Sequence, residues 1–202
     1  MGHGDSITAG ATLTSPQTDA FLPLVTAFAH TQDSLKIFGG INYGISGQSF
    51  DYIYPPSIAY PNLLDDAVAR VDPVLRFDGP KWLVIFAGTN GIFLKGNSGA
   101  TEAALNLAYL DARIAAGWPA DRICNGTMLP REGSHEADRT TYNNTIRTGS
   151  ASRGVKVCDF AANATIGAAG ADSNTTYYAD RVHPTAAGHA ILAGIIEAQF
   201  FP

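Results

Sequence analysis

The run from Trp82 to Ala87, inside "KWLVIFAG", constrains the fold more than any other stretch, because it is apolar without interruption and stops at Gly88. A strand with no polar face needs cover on both sides, which is the situation of a parallel sheet between two layers of helix. "LKIFGGINYG", "RICNGTML" and "VKVCDF" are weaker strand signals of the same kind. Between them, "TDAFLPLVTAFAHT" and "TEAALNLAYLDARIAAG" read as helices; in the second, Ala103, Leu107, Leu110 and Ile114 recur at helical spacing and Gly117 is a stop. The closing "TAAGHAILAGIIEAQF" places Ile191, Leu192, Ile195 and Ile196 on one face, a core stripe. Short strands alternating with longer helices predict βα units and an α/β domain around a parallel sheet. The start fits less well: only Met1, Gly2 and His3 precede Gly4, against about five residues in an ordinary strand, so the first strand is expected to be short or truncated. The Gly and Ser clusters at Gly96 to Gly99 and Gly149 to Gly154 read as surface loops.

At 202 residues, with 46% hydrophobic and 15% charged, the chain suits a single globular domain over residues 1–202. Its net charge of -5 and scattered basic residues give no footprint for nucleic acid or an anionic membrane, which leaves small molecules or neutral polymers as partners. No apolar stretch reaches the roughly eighteen residues of a membrane span, and "MGHGDS" has no signal-peptide pattern. The expectation is a soluble protein, cytoplasmic or secreted with its leader absent; oligomeric state is not legible. Cys124 and Cys158 have no second Cys or His at metal-ligand spacing and read as buried free thiols. The sequons at Asn125, Asn143, Asn163 and Asn174 read as chance, the first falling in a core strand.

Four separated stretches hold chemically loaded residues among small ones: "GDSITAG", "NYGISGQSF", "AGTNG" and "DRVHPTAAGH". Each alone is weak, since Asp-Ser before a helix is an ordinary cap and Asn and Gly are ordinary turn residues. Together they matter, because loops after parallel strands converge on one crevice.

In that order the stretches resemble the blocks of the SGNH, or GDSL, hydrolase family, and the resemblance covers nearly the whole chain. By position, Ser6 matches the nucleophile of block I, Gly47 the glycine of block II, Asn90 the asparagine of block III and His183 the base of block V, with Asp180 as the acid. It implies a three-layer α/β/α sandwich around a parallel sheet of about five strands, and a carboxylester hydrolase needing no metal or cofactor. Two positions depart from the pattern: Gly91 stands where many members have Asp after the asparagine, and Arg181 where many have Gly before the valine of block V.

The implied roles follow from the chemistry. A serine hydroxyl needs a base within reach, and the base needs a group that fixes its tautomer, hence His183 and Asp180. The oxyanion formed on attack needs aimed donors, for which the Ser6 and Gly47 backbone N–H groups and the Asn90 amide are the candidates. Asp5 reads as a loop brace. His189 reads as a packing or solvent-facing residue of the last helix, His30 as a residue near a helix end that suits the dipole, His135 as a loop residue, and His3 as a substitute for an apolar strand residue. Phe50, Tyr52, Tyr54, Pro55, Pro56 and Tyr60 after block II, Ile92, Phe93 and Leu94 after block III, and Tyr177 and Tyr178 read first as packing and second as pocket walls. The expected substrate is a short-chain acyl or acetyl ester of a small molecule or carbohydrate. The alternatives are a lipase, lysophospholipase or thioesterase of longer chains, and a non-catalytic carbohydrate-binding module on the same fold.

Overall fold

A computed structural model of the chain describes residues 1–32, 39–54 and 61–202. Five parallel strands, β1 (Gly2–Gly4), β2 (Asn42–Gly44), β3 (Leu83–Phe86), β4 (Ile123–Gly126) and β5 (Lys156–Cys158), form one sheet in the order β2-β1-β3-β4-β5. The first strand is short, yet it pairs on both sides: His3 lies opposite Tyr43 of β2 and Ile85 of β3. The strand expected from "LKIFGGINYG" is realised at its end; Leu35 to Phe38 lie outside the described residues, as do Pro55, Pro56 and Tyr60.

The helices are α1 (Ser6–Ala9), α2 (Pro16–Asp19), α3 (Phe21–Gln32), α4 (Leu63–Asp66), α5 (Gly99–Ala115), α6 (Glu136–Ala151) and α7 (Ala186–Phe200). Alternation along β3 sorts them into two layers. Val84 and Phe86 pack with Phe21, Leu22 and Val25 of α3 and Leu192 and Ile196 of α7. Leu83 and Ile85 face Leu63 of α4 and Tyr109 and Leu110 of α5. The expected stripes hold: Ala103 and Leu110 are buried, as are Leu192 and Ile196, with Leu107, Ile114, Ile191 and Ile195 partly so.

Three expectations are corrected. Cys124 and Cys158 are joined in a disulfide, with their Cα atoms 5.7 Å apart, because neighbouring β4 and β5 bring together residues distant in sequence. Gly149 to Ala151 are the last turn of α6, with Ser150 buried and bonded to Asn125, so the cluster is a loop only beyond that point. His3 does not stand in for an apolar residue. Fully buried, its Nδ1 lies 2.6 Å from the Tyr109 hydroxyl and its Nε2 2.9 Å from Asp66, which also accepts from Arg70. Burial pushes the Asp66 carboxyl upward, but those hydrogen bonds outweigh it and hold the group at about 2.

No helix among the described residues is long and apolar enough to cross a membrane. The strand order reverses direction between β1 and β3, and the loops after the carboxyl ends of those two strands open the crevice where sheets of this order take their ligands.

Candidate active site

One residue beyond β1, Ser6 opens α1, whose N-terminus is capped by the Asp5 carboxylate accepting from the Ile7 N–H at 2.9 Å. This is the bracing role expected of Asp5, and burial raises its carboxyl to about 6 despite that bond. The Ser6 side chain meets the last loop of the chain: Ser6 Oγ is 2.9 Å from His183 Nε2, and His183 Nδ1 is 2.8 Å from Asp180 Oδ2. Asp180 Oδ1 also accepts the backbone N–H groups of Val182 at 3.1 Å and His183 at 2.8 Å, so the carboxylate is held by its own turn. Burial opposes its charge, but those hydrogen bonds prevail and keep it below the usual carboxylate range. With the Nδ1 proton engaged by Asp180, Nε2 presents a lone pair to the hydroxyl, the arrangement that lets a serine lose its proton as it attacks.

The other two loops close the crevice. Gly47 has φ +82, and a Cβ there would lie 1.9 Å from the Tyr54 carbonyl oxygen, so both conformation and space require glycine. Asn90 is buried and donates Nδ2 to the Gln48 carbonyl at 2.9 Å, which ties block III to block II and leaves its second amide hydrogen for another acceptor. Ser6, Gly47, Asn90 and His183 line one cleft of about 360 Å³, whose walls include the half-exposed Tyr54 and Leu94. A larger hollow of about 630 Å³ between α3 and the β2 edge contains none of these four residues.

Glu102, in α5, carries part of the frame and was hidden in a helix pattern. Fully buried, it accepts from Ser49 Oγ at 2.5 Å and Asn97 Nδ2 at 2.7 Å, while burial raises its pKa against those bonds. A Cβ on Gly91 would fall 2.0 Å from Glu102 Oε2, so the space beside Asn90 is already filled by a carboxylate. Arg181 has φ +63, a region that favours glycine, and is held there by Asp172, whose Oδ2 accepts from Nε at 3.0 Å.

The remaining histidines take no part in the cleft. His189 is fully buried, accepts the Phe21 N–H on Nδ1 at 3.3 Å, and is lowered by burial to about 4. His135 packs edge-on to Phe93, ring centroids 4.8 Å apart. Phe50 and Tyr178 are core residues, as their packing reading expects.

Ser6, the His183 imidazole and the Asn90 amide thus meet at the switch point of a doubly wound parallel sheet, the site class of a hydrolase with a serine–histidine pair. The chain belongs to the GDSL-like Lipase/Acylhydrolase family, whose model matches residues 3–191. As a member it is a carboxylic ester hydrolase. No curated protein matches the sequence. Among solved structures, a lipolytic protein of the G-D-S-L family from Veillonella parvula superposes with a TM-score of 0.71 at 18% identity, over 99% of this chain and 96% of that one. The acetylxylan esterase Axe2 from Geobacillus stearothermophilus gives 0.65 at 21% identity, over 100% and 93%. The psychrotrophic esterase EstA from Pseudoalteromonas gives 0.66 at 15% identity, over 98% and 93%. At these identities the likeness establishes the shared fold.

Proposed function

We propose that the protein hydrolyses short-chain acyl or acetyl esters, with Ser6 as nucleophile, His183 as general base and then acid, and Asp180 as the group that orients His183. The observation that carries this reading is the unbroken chain from Ser6 Oγ to His183 Nε2 and from His183 Nδ1 to Asp180. Attack by Ser6 on the ester carbonyl passes the serine proton to His183 and forms a tetrahedral oxyanion. The Ser6 and Gly47 N–H groups and the free amide hydrogen of Asn90 serve as its donors, each worth about 3 to 4 kcal/mol when well placed. Collapse expels the alcohol, protonated by His183, and water then hydrolyses the acyl-enzyme by the same route. The preference for short acyl groups rests on a cleft of about 360 Å³ and on the absence of an extended apolar lid-like run in the sequence.

The test compares p-nitrophenyl acetate, butyrate and decanoate with wild type, Ser6→Ala and His183→Ala. Turnover falling steeply with chain length, and lost by at least about a thousandfold in both variants, is expected. Equal hydrolysis by all three proteins removes the assignment, and a decanoate preference moves the substrate class to longer chains.

A further inference from the structure

Arg131 follows β4 and lines the same cleft as Ser6, Asn90 and His183. Its guanidinium carbon sits over the Phe93 ring, 4.5 Å from the centroid. Arg113, Arg139, Arg147 and Arg153 each have a carboxylate at 2.5 to 2.9 Å. Arg131 holds none among the described residues, and its Nε is buried without a partner. Three carboxylates act on it through space, Asp5, Glu132 and Asp180. Asp5 is engaged by the Ile7 N–H, Asp180 by His183, and Glu132 lies 3.9 Å from Arg181. Burial lowers the pKa of Arg131, a desolvation that an arriving anion would offset. A guanidinium that lines a cleft and holds no carboxylate is suited to a planar pair of anionic oxygens.

Position within the cleft selects which part of the substrate carries the charge. Arg131 and Val182 border the same hollow beside the loop of His183, the residue that returns a proton to the departing alcohol. We propose that Arg131 is a specificity residue for the alcohol portion, and that the ester cleaved here bears a carboxylate or a phosphate on that portion. The proposal rests on the Ser6 and His183 reading of the site, so its test is a binding measurement that does not require turnover.

Ser6→Ala protein is titrated by calorimetry with three acetate esters that differ in the charge on the alcohol: 4-acetoxybenzoate, 4-acetoxyphenyl phosphate and the neutral methyl 4-acetoxybenzoate. At least one anion is expected to bind about ten- to a hundredfold more tightly than the neutral ester. The preferred anion distinguishes a carboxylate from a phosphate substrate. The preference is expected to collapse in the double variant Ser6→Ala, Arg131→Gln. Equal binding of the three esters, or a preference that survives Arg131→Gln, overturns the proposal, while hydrolysis of the neutral ester by wild type reports separately on the esterase reading.

Discussion

Replacing Glu102 with glutamine tests whether the frame behind Asn90 sets the rate. The carboxylate accepts from Ser49, next to Gln48, whose carbonyl holds the Asn90 amide, and from Asn97, whose N–H also bonds to the Gly91 carbonyl at 2.9 Å. Hydrogen bonds to a charged acceptor contribute about 1.5 to 3 kcal/mol and neutral ones about 0.5 to 1.5. Glu102→Gln replaces two charge-assisted bonds by neutral ones, its Oε1 accepting from Asn97 and its NH₂ donating to Ser49 Oγ, for a total loss of about 2 kcal/mol. Removing an oxyanion donor outright lowers kcat about 10²- to 10³-fold. Displacing one is expected to lower kcat about tenfold, or about 1.4 kcal/mol. If Asn90 serves the oxyanion as proposed, the loss falls on the transition state and KM is expected to stay within about twofold. Steady-state kinetics on p-nitrophenyl acetate, with urea midpoints in parallel, check both numbers. Ile196→Ala serves as the control, since it empties core under α7 at a comparable cost of about 2 to 4 kcal/mol and is expected to leave kcat alone. A folded Glu102→Gln protein with wild-type kcat, or one that changes only KM, refutes the positioning role.

Two further outcomes concern stability. The Asp5 carboxyl is raised by burial to about 6, so between about pH 4 and 6 the folded state binds more protons than the unfolded one and stability falls as pH rises, by about 3 kcal/mol in all. Asp5→Asn keeps an acceptor for the Ile7 N–H and removes that burden; thermal melts are expected to show it more stable than wild type at pH 7 and equal near pH 4, and a less stable variant at pH 7 contradicts this. The Cys124–Cys158 bridge closes a separation of 34 residues, for which chain entropy gives about 3 to 4 kcal/mol, so the double Ala variant is expected to lose that much in urea titration against the oxidised protein. A midpoint that does not move contradicts it.

The sheet was legible where burial is continuous and the site where residue types are unusual in combination. β3 is readable because neither of its faces touches water. Helix α6 was not, because its buried face is largely polar: Arg139, Asn143 and Ser150 stand among Tyr142 and Ile146, and Asn143 spends its amide on the backbone of Met128. A hydrophobic period cannot report a face satisfied by hydrogen bonds. The same reason hid Glu102, a buried carboxylate in a helix read only for its apolar stripe. Arg131 and the disulfide were hidden differently, since their meaning lies in the company that β4 keeps with its neighbours in the sheet.

The two positions that depart from the family pattern share a physical solution. At Gly91 no side chain fits, because the carboxylate of Glu102 reaches in from α5 and takes the volume, bringing with it bonds to Ser49 and Asn97. At Arg181 a side chain adopts a left-handed conformation that disfavours a Cβ by roughly 1 to 2 kcal/mol, and the nearly buried Asp172 holds its guanidinium at 2.9 Å. In each case a buried carboxylate outside the motif stretch meets the position, Glu102 by filling the space beside Gly91 and Asp172 by pairing with Arg181, so neither position can be altered alone. Restoring glycine at 181 would relieve the backbone but strand Asp172, and adding a side chain at 91 would displace Glu102. The loops that carry Gly47, Asn90 and His183 thus take part of their support from Glu102 and Asp172, two carboxylates outside the four motif stretches.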